Sequence, residues 1–183
     1  ALFGTRELAV RVAGATAAVE HLIGLGHRRI VHVAGPADWA EARARVEGWR
    51  TAMSGAGLAT QEPLVGDWSA ASGFEAGRVI AADPGVTAVF AGDDQMALGV
   101  LLALHEAGRR VPDDVSVVGF DDIPEAAFLT PPLTTVHQDF TDVGARAITV
   151  LMAAIHGESA SPVPLLSPPL VIRRSTAAHP GSH

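Results

Sequence analysis

Apolar positions along this chain alternate between two rhythms, one of helical spacing and one of short unbroken runs. From Gly14 to Leu25, the residues Ala15, Ala18, Val19, Leu22 and Ile23 fall at helical spacing, and Gly24 and Gly26 end the segment. Arg29 to Ala34 is a β-branched run closed by Gly35-Pro36, which predicts a buried strand and a turn. A second helix is predicted from about Trp39 to Ser54, closed by Gly55 and Gly57, and Pro63 to Gly66 reads as the next strand. Ser69 is a fitting N-cap for a helix running to about Ala82, and Asp83-Pro84-Gly85 turns the chain into a strand at Thr87 to Phe90.

The alternation then continues. Asp93 or Asp94 caps a strongly apolar helix to about Ala107, strands follow at Val115 to Phe120 and Leu133 to Val136, and Asp139 caps a helix to about His156. A proline- and serine-rich stretch, Glu158 to Pro169, leads to a last strand at Leu170 to Arg174, and the tail from Ala177 to His183 reads as disordered. Strands separated by helices predict an α/β fold with a doubly wound parallel sheet. In such sheets ligands bind beyond the carboxyl ends of the strands.

The residues just past each strand end therefore carry the chemistry. They are Gly66-Asp67-Trp68-Ser69, Gly92-Asp93-Asp94-Gln95, Phe120-Asp121-Asp122 and His137-Gln138-Asp139-Phe140. Carboxylates, an amide and aromatic rings on one edge suit a sugar, which needs acceptors for its hydroxyls and a flat apolar face for its C–H patch. Each residue also has a plainer use. One of Asp93 and Asp94 can be a helix cap, as can Asp139, and Trp68 alone can be a packing residue. The two Asp-Asp pairs raise a divalent-metal hydrolase as a rival, but no third motif supports it. The histidines show no metal-ligand spacing, and no nucleophile elbow, phosphate loop or dinucleotide fingerprint occurs, so no catalytic residue, metal site or cofactor is expected.

Composition narrows the class. The 183 residues are 48% hydrophobic and 18% charged, enough for a real core, and no apolar run is long enough to span a bilayer. With no cysteines, disulfides and thiolate metal sites are excluded. No leader pattern opens the chain, which makes the cytoplasm the default expectation. A net charge of −7 lacks the electrostatic footprint of a nucleic-acid binder. The helix Met96 to Leu104 is apolar nearly all round and the loop Ile123 to Pro132 carries Phe128-Leu129, so this face, with the helix from Ser69, is expected to be covered by a second copy.

Longer motifs carry a resemblance. Val19 to Ile30 (Val-Glu-His-Leu-Ile-Gly-Leu-Gly-His-Arg-Arg-Ile), Ala34-Gly35-Pro36 with Ala42 to Trp49, Asp94 to Gly99, Pro112 to Asp122 and Pro131 to Phe140 resemble, in order, the lactose-repressor/galactose-repressor family of bacterial regulators. The likeness covers about Gly14 to Thr176, and Gly66 to Ala70 followed by Ser72-Gly73-Phe74 narrows it toward the lactose-repressor branch.

The resemblance implies a periplasmic-binding-protein-like fold, mainly its C-terminal subdomain, in a cytoplasmic, dimeric regulator that is not an enzyme. It implies a galactoside-like effector held by Arg45, Trp68, Asp93, Asp121, Gln138 and Phe140, with Arg45 and Asp121 on ring hydroxyls and Trp68 and Phe140 as apolar walls. Operator DNA would be bound only through an N-terminal domain that this chain lacks. A sugar-binding protein of a transport system, of the same fold, is the alternative.

Three departures matter. Asp93 stands where many members carry asparagine; the DNA-binding and hinge helices are absent; and so is nearly all of the N-terminal effector subdomain. Residues 1–13 are then a remnant of that subdomain or appended sequence, 14–137 the C-terminal effector subdomain, 138–164 a helix and linker that return to the missing part, 165–176 the final strand and 177–183 a tail. The apolar stripe Val143, Ala147, Val150, Leu151 and Ala154 would need another home.

Overall fold

The chain's structure, a computed structural model, describes residues 2–139, 152 and 168–179, with side chains from residue 8 onward. Its first element, α1 (Leu2–Gly24), begins twelve residues earlier than the helical spacing from Gly14 predicts. The region expected to be a remnant of the missing subdomain or appended sequence is helical from Leu2 onward. Val12 carries the apolar stripe of Ala15 and Val19 back by one turn, and its carbonyl lies 2.5 Å from where a Cβ on Gly48 would stand.

The alternation beyond α1 matches the predicted one, with ends shifted by a residue or two, except that the last strand stops at Val171, three residues short of the expected Arg174. It runs β1 (Ile30–Ala34), α2 (Ala40–Gly55), β2 (Leu64–Val65), α3 (Ala70–Ala81), β3 (Ala88–Ala91), α4 (Asp94–Glu106), β4 (Ser116–Asp121), β5 (Thr134–His137) and β6 (Leu170–Val171). A 3-10 turn at Pro124–Phe128 occupies what was expected to be plain loop. The sheet order is β2-β1-β3-β4-β5-β6. Pairing is parallel from β2 through β5, and β6 joins antiparallel, with Thr135 opposite Val171. The expected parallel sheet thus has one antiparallel edge. The helix predicted from about Asp139 to His156, with its apolar stripe, lies outside the described residues apart from Asp139 and Met152.

Alternate residues of the central strands feed two cores. Phe90, Val118 and Phe120 point with Ala15, Val19, Leu22, Trp49 and Met53 under α1 and α2. Val89, Ala91 and Val117 point with Ile80, Met96, Val100 and Leu104 under α3 and α4. Burial on both faces is why β3 is apolar without interruption. The α3/α4 pair closes through glycine: a Cβ on Gly99 would stand 1.9 Å from the Ala70 carbonyl oxygen.

Two histidines serve the fold. His32 is fully buried, bonded through Nδ1 to the Phe90 carbonyl at 2.9 Å and stacked on the Phe90 ring, and burial pushes it down to about 4, so it is neutral near pH 7. His27 helps hold the segment Ala177–His179. Its Nε2 lies 3.0 Å from the Ala177 carbonyl, Ala177 N–H donates to Ser116 Oγ, and His179 N–H donates to the Leu25 carbonyl at 2.8 Å. The disorder expected from Ala177 onward is thus corrected for Ala177–His179. Local polarity suggested a free tail, whereas these backbone groups find partners at the amino ends of the strands.

Candidate functional site

Because β2 lies on one side of β1 and β3 on the other, the chain reverses its direction of travel across the sheet between β1 and β3. This is the switch point at which doubly wound sheets form a crevice. The residues just beyond these two strands are Gly35 and Gly92. Over them lies Trp68. The turn that delivers it is built locally: Asp67 Oδ1 accepts from Ser69 N–H at 3.0 Å, and Ser69 Oγ caps α3 by accepting from Ser72 N–H at 3.1 Å. Trp68 is left to make the bend at φ +71°, a left-handed conformation that costs a non-glycine residue on the order of 1 kcal/mol. A Cβ on Gly35 would sit 2.1 Å from Cζ2 of this indole, so only glycine lets the ring settle on the strand ends.

Arg45 reaches the same place from α2. Its side chain is only 6% exposed, Nη1 donates to the Gly92 carbonyl at 2.5 Å, and Nη2 donates to Asp121 Oδ1 at 3.1 Å. The guanidinium carbon lies 4.2 Å from the centre of the Phe120 ring and 5.1 Å from that of Trp68, so two aromatic rings flank it. Asp121, at φ +112°, also accepts from Gln138 Nε2 at 2.5 Å. Burial pushes its carboxyl above the ordinary range against the pull of Arg45. Asp93 accepts from Met96 N–H at 2.7 Å, capping α4, while burial raises it to about 6. The Nε–H of Arg45 and the indole N–H of Trp68 are buried with no acceptor among the described residues. Such orphan donors are rare in a finished core and cluster where function requires them.

The family model of the periplasmic binding protein-like domain matches residues 19–176. The ribose operon repressor of Escherichia coli strain K12 is 41% identical over 167 residues, covering 90% of this chain and 51% of the relative. The chain belongs to the lactose-repressor/galactose-repressor family. The structure of a Lac repressor dimer bound to operator and anti-inducer superposes with a TM-score of 0.83 at 38% identity, over 92% of this chain and 59% of that one. A complex of the regulator CelR with cellobiose gives 0.83 at 41%, over 90% and 52%. The lactose branch is not singled out among these relatives, and the chain spans about half the length of the curated ones it matches.

Within this member of the family, Arg45, Trp68, Asp93, Asp121 and Gln138 come together at one rim, whereas Phe140 lies outside the described residues. The neighbouring aspartates have other work. Asp94 is fully buried and accepts from Ile123 N–H at 2.9 Å and Thr135 Oγ1 at 2.6 Å, clamping α4 to β5, and burial pushes it up to about 7. Asp122 joins Arg173 at 2.7 Å and His137 at 3.0 Å, bracing β4 against β5 and the chain beyond β6. Of the two possible caps for α4, the structure chooses Asp93. Among the described residues no group of three or more His, Asp or Glu side chains is placed to hold a metal ion. Sequence reading placed Gly92 and Phe120 in the rim runs without assigning either a contact, and it passed over Trp39, whose ring centre lies 6.1 Å from that of Trp68.

Proposed function

We propose that this chain is the effector-binding and dimerisation part of a cytoplasmic, sugar-responsive transcriptional regulator, and not an enzyme. The observation that carries the reading is Arg45, fixed between Trp68 and Phe120 at the switch point and bonded to Asp121. Such a site offers a sugar charged hydrogen-bonding groups and an apolar wall in one place. Arg45, Trp68, Asp93, Asp121, Gln138 and Phe140 are the proposed contacts of a galactoside-like effector. Residues 14–137 form one wall of its cleft, and 138–164 lead to the other. Ligand binding would favour one closure of the two walls and thereby shift affinity for operator DNA, which an N-terminal domain beyond this chain would hold. The relatives' printed roles as repressors favour this over a transport-associated binding protein.

The dimer surface is the outer face of α3, α4 and the 3-10 turn. Val79, Leu98, Leu102 and Phe128 are exposed there, Phe128 to 85%. Exposed large apolar side chains of this kind are what a second copy would bury. The effector reading is tested by calorimetry on the natural full-length protein. Trp68→Ala should weaken its sugar by about 1–3 kcal/mol, roughly 5- to 150-fold, the scale of one lost aromatic contact. Unchanged affinity would remove Trp68 from the site.

A further inference from the structure

Helix α2 opens on Trp39, and a tryptophan does nothing for a helix start. The N-cap position favours Ser, Thr, Asp or Asn, whose side chains accept from the first free N–H groups; Trp39 makes no side-chain cap bond. Core packing does not explain it either, because the side chain is 52% exposed. What fixes it is the rim. Trp39 N–H donates to the Pro36 carbonyl at 3.1 Å, which holds the turn after β1, and its ring meets Trp68 edge-on at 66°. The two rings differ in what they have left to offer. Trp68 is pressed on Gly35 and Gly92 and flanked by Arg45. Trp39 keeps half its surface open beside Trp68.

Trp68, with Arg45 and Asp121 beside it, can take one face of a single pyranose. A second indole set at an angle to the first offers a second linked ring a stacking face of its own. Indoles supply a large, rigid apolar face beside a wet, polar edge, the combination a glycosidically linked unit presents. We propose that Trp39 forms a second aromatic subsite beside Trp68 and selects an effector of two linked sugar rings over a monosaccharide. This rests on the sugar-effector reading above and deepens it by naming the ligand class.

The test is calorimetry on the natural full-length protein with lactose and cellobiose against galactose, glucose and ribose. At least one disaccharide should bind about tenfold or more tighter than its own monosaccharide units, the scale of one added ring stack. Trp39→Ala should remove that preference, lowering disaccharide affinity about tenfold while monosaccharide affinity stays within about twofold, and Trp39→Phe should restore part of it. Circular dichroism and melting temperature of each variant establish that it is folded. The inference is overturned if a monosaccharide binds as tightly as any disaccharide. It is equally overturned if Trp39→Ala weakens both classes alike, the result of a ring that merely packs, or weakens neither. Absence of binding by every sugar is a different failure, because it takes down the sugar-effector reading itself.

Discussion

Replacing Arg45 by alanine should cost about 3 kcal/mol of stability and abolish measurable sugar binding in the same variant. The residue is 5% exposed and has two anchors, the Gly92 carbonyl at the end of β3 and the Asp121 carboxylate at the end of β4. Its loss takes a charged partner from a half-buried carboxylate, which keeps its bond from Gln138, and it uncovers the facing sides of Trp68 and Phe120. Breaking a buried pair in this way ordinarily costs about 3–5 kcal/mol; the lower end applies because Asp121 is 18% exposed and keeps Gln138. For a domain of this size that is a drop in melting temperature of roughly 10 °C. Arg45→Lys should rescue little, since one ammonium cannot span both acceptors while lying flat against two rings. Adding Asp121→Asn to Arg45→Ala should recover part of the loss, and urea denaturation of the four proteins in the cycle measures it. Strict additivity of the two substitutions would show that the pair is not coupled.

Gly99→Val should be about as damaging, for a reason far from the site. A Cβ at this position would stand 1.9 Å from the Ala70 carbonyl and 2.4 Å from Phe74 N, both backbone atoms of α3. Neither can swing aside as a side chain would, so α3 and α4 must part along the seam that buries Ile80, Met96, Val100 and Leu104. We expect a loss of about 3 kcal/mol, measured by thermal unfolding. Gly55→Ala is the control, because nothing lies within 4 Å of a Cβ there and the substitution should be neutral or slightly stabilising. Equal melting temperatures for Gly99→Val and the unaltered protein would mean that the two helices do not meet as described.

The order of elements was legible because both rhythms were strong. Runs such as Val115 to Phe120 are bounded by polar or turn residues, and Gly24, Gly57 and Gly108 mark helix ends. The rim was legible as well, since whatever follows a parallel strand must stand at the ligand edge. What failed was local ambiguity or tertiary rescue. Asp93 and Asp94 satisfy the same capping rule, and only the fold shows that one caps while the other is locked between Ile123 and Thr135. Trp39 sat at the mouth of a helix where propensity gives no reason to notice it. Residues 1–13 read as a remnant of the missing subdomain or appended sequence, yet Val12 continues the stripe that seats α1 on α2. The Ala177–His179 segment looked free because its partners, His27, Ser116 and Leu25, are distant in sequence.

The central claim is that a sugar on the Arg45–Trp68 rim controls DNA binding. The most direct test is fluorescence anisotropy of labelled operator titrated with the natural full-length protein at fixed salt, with and without the sugar that calorimetry identifies. The account predicts that saturating sugar changes operator affinity by about 5- to 150-fold, and that Trp68→Ala raises the sugar concentration needed for that change. Operator affinity that stays the same while the sugar is fully bound would contradict it.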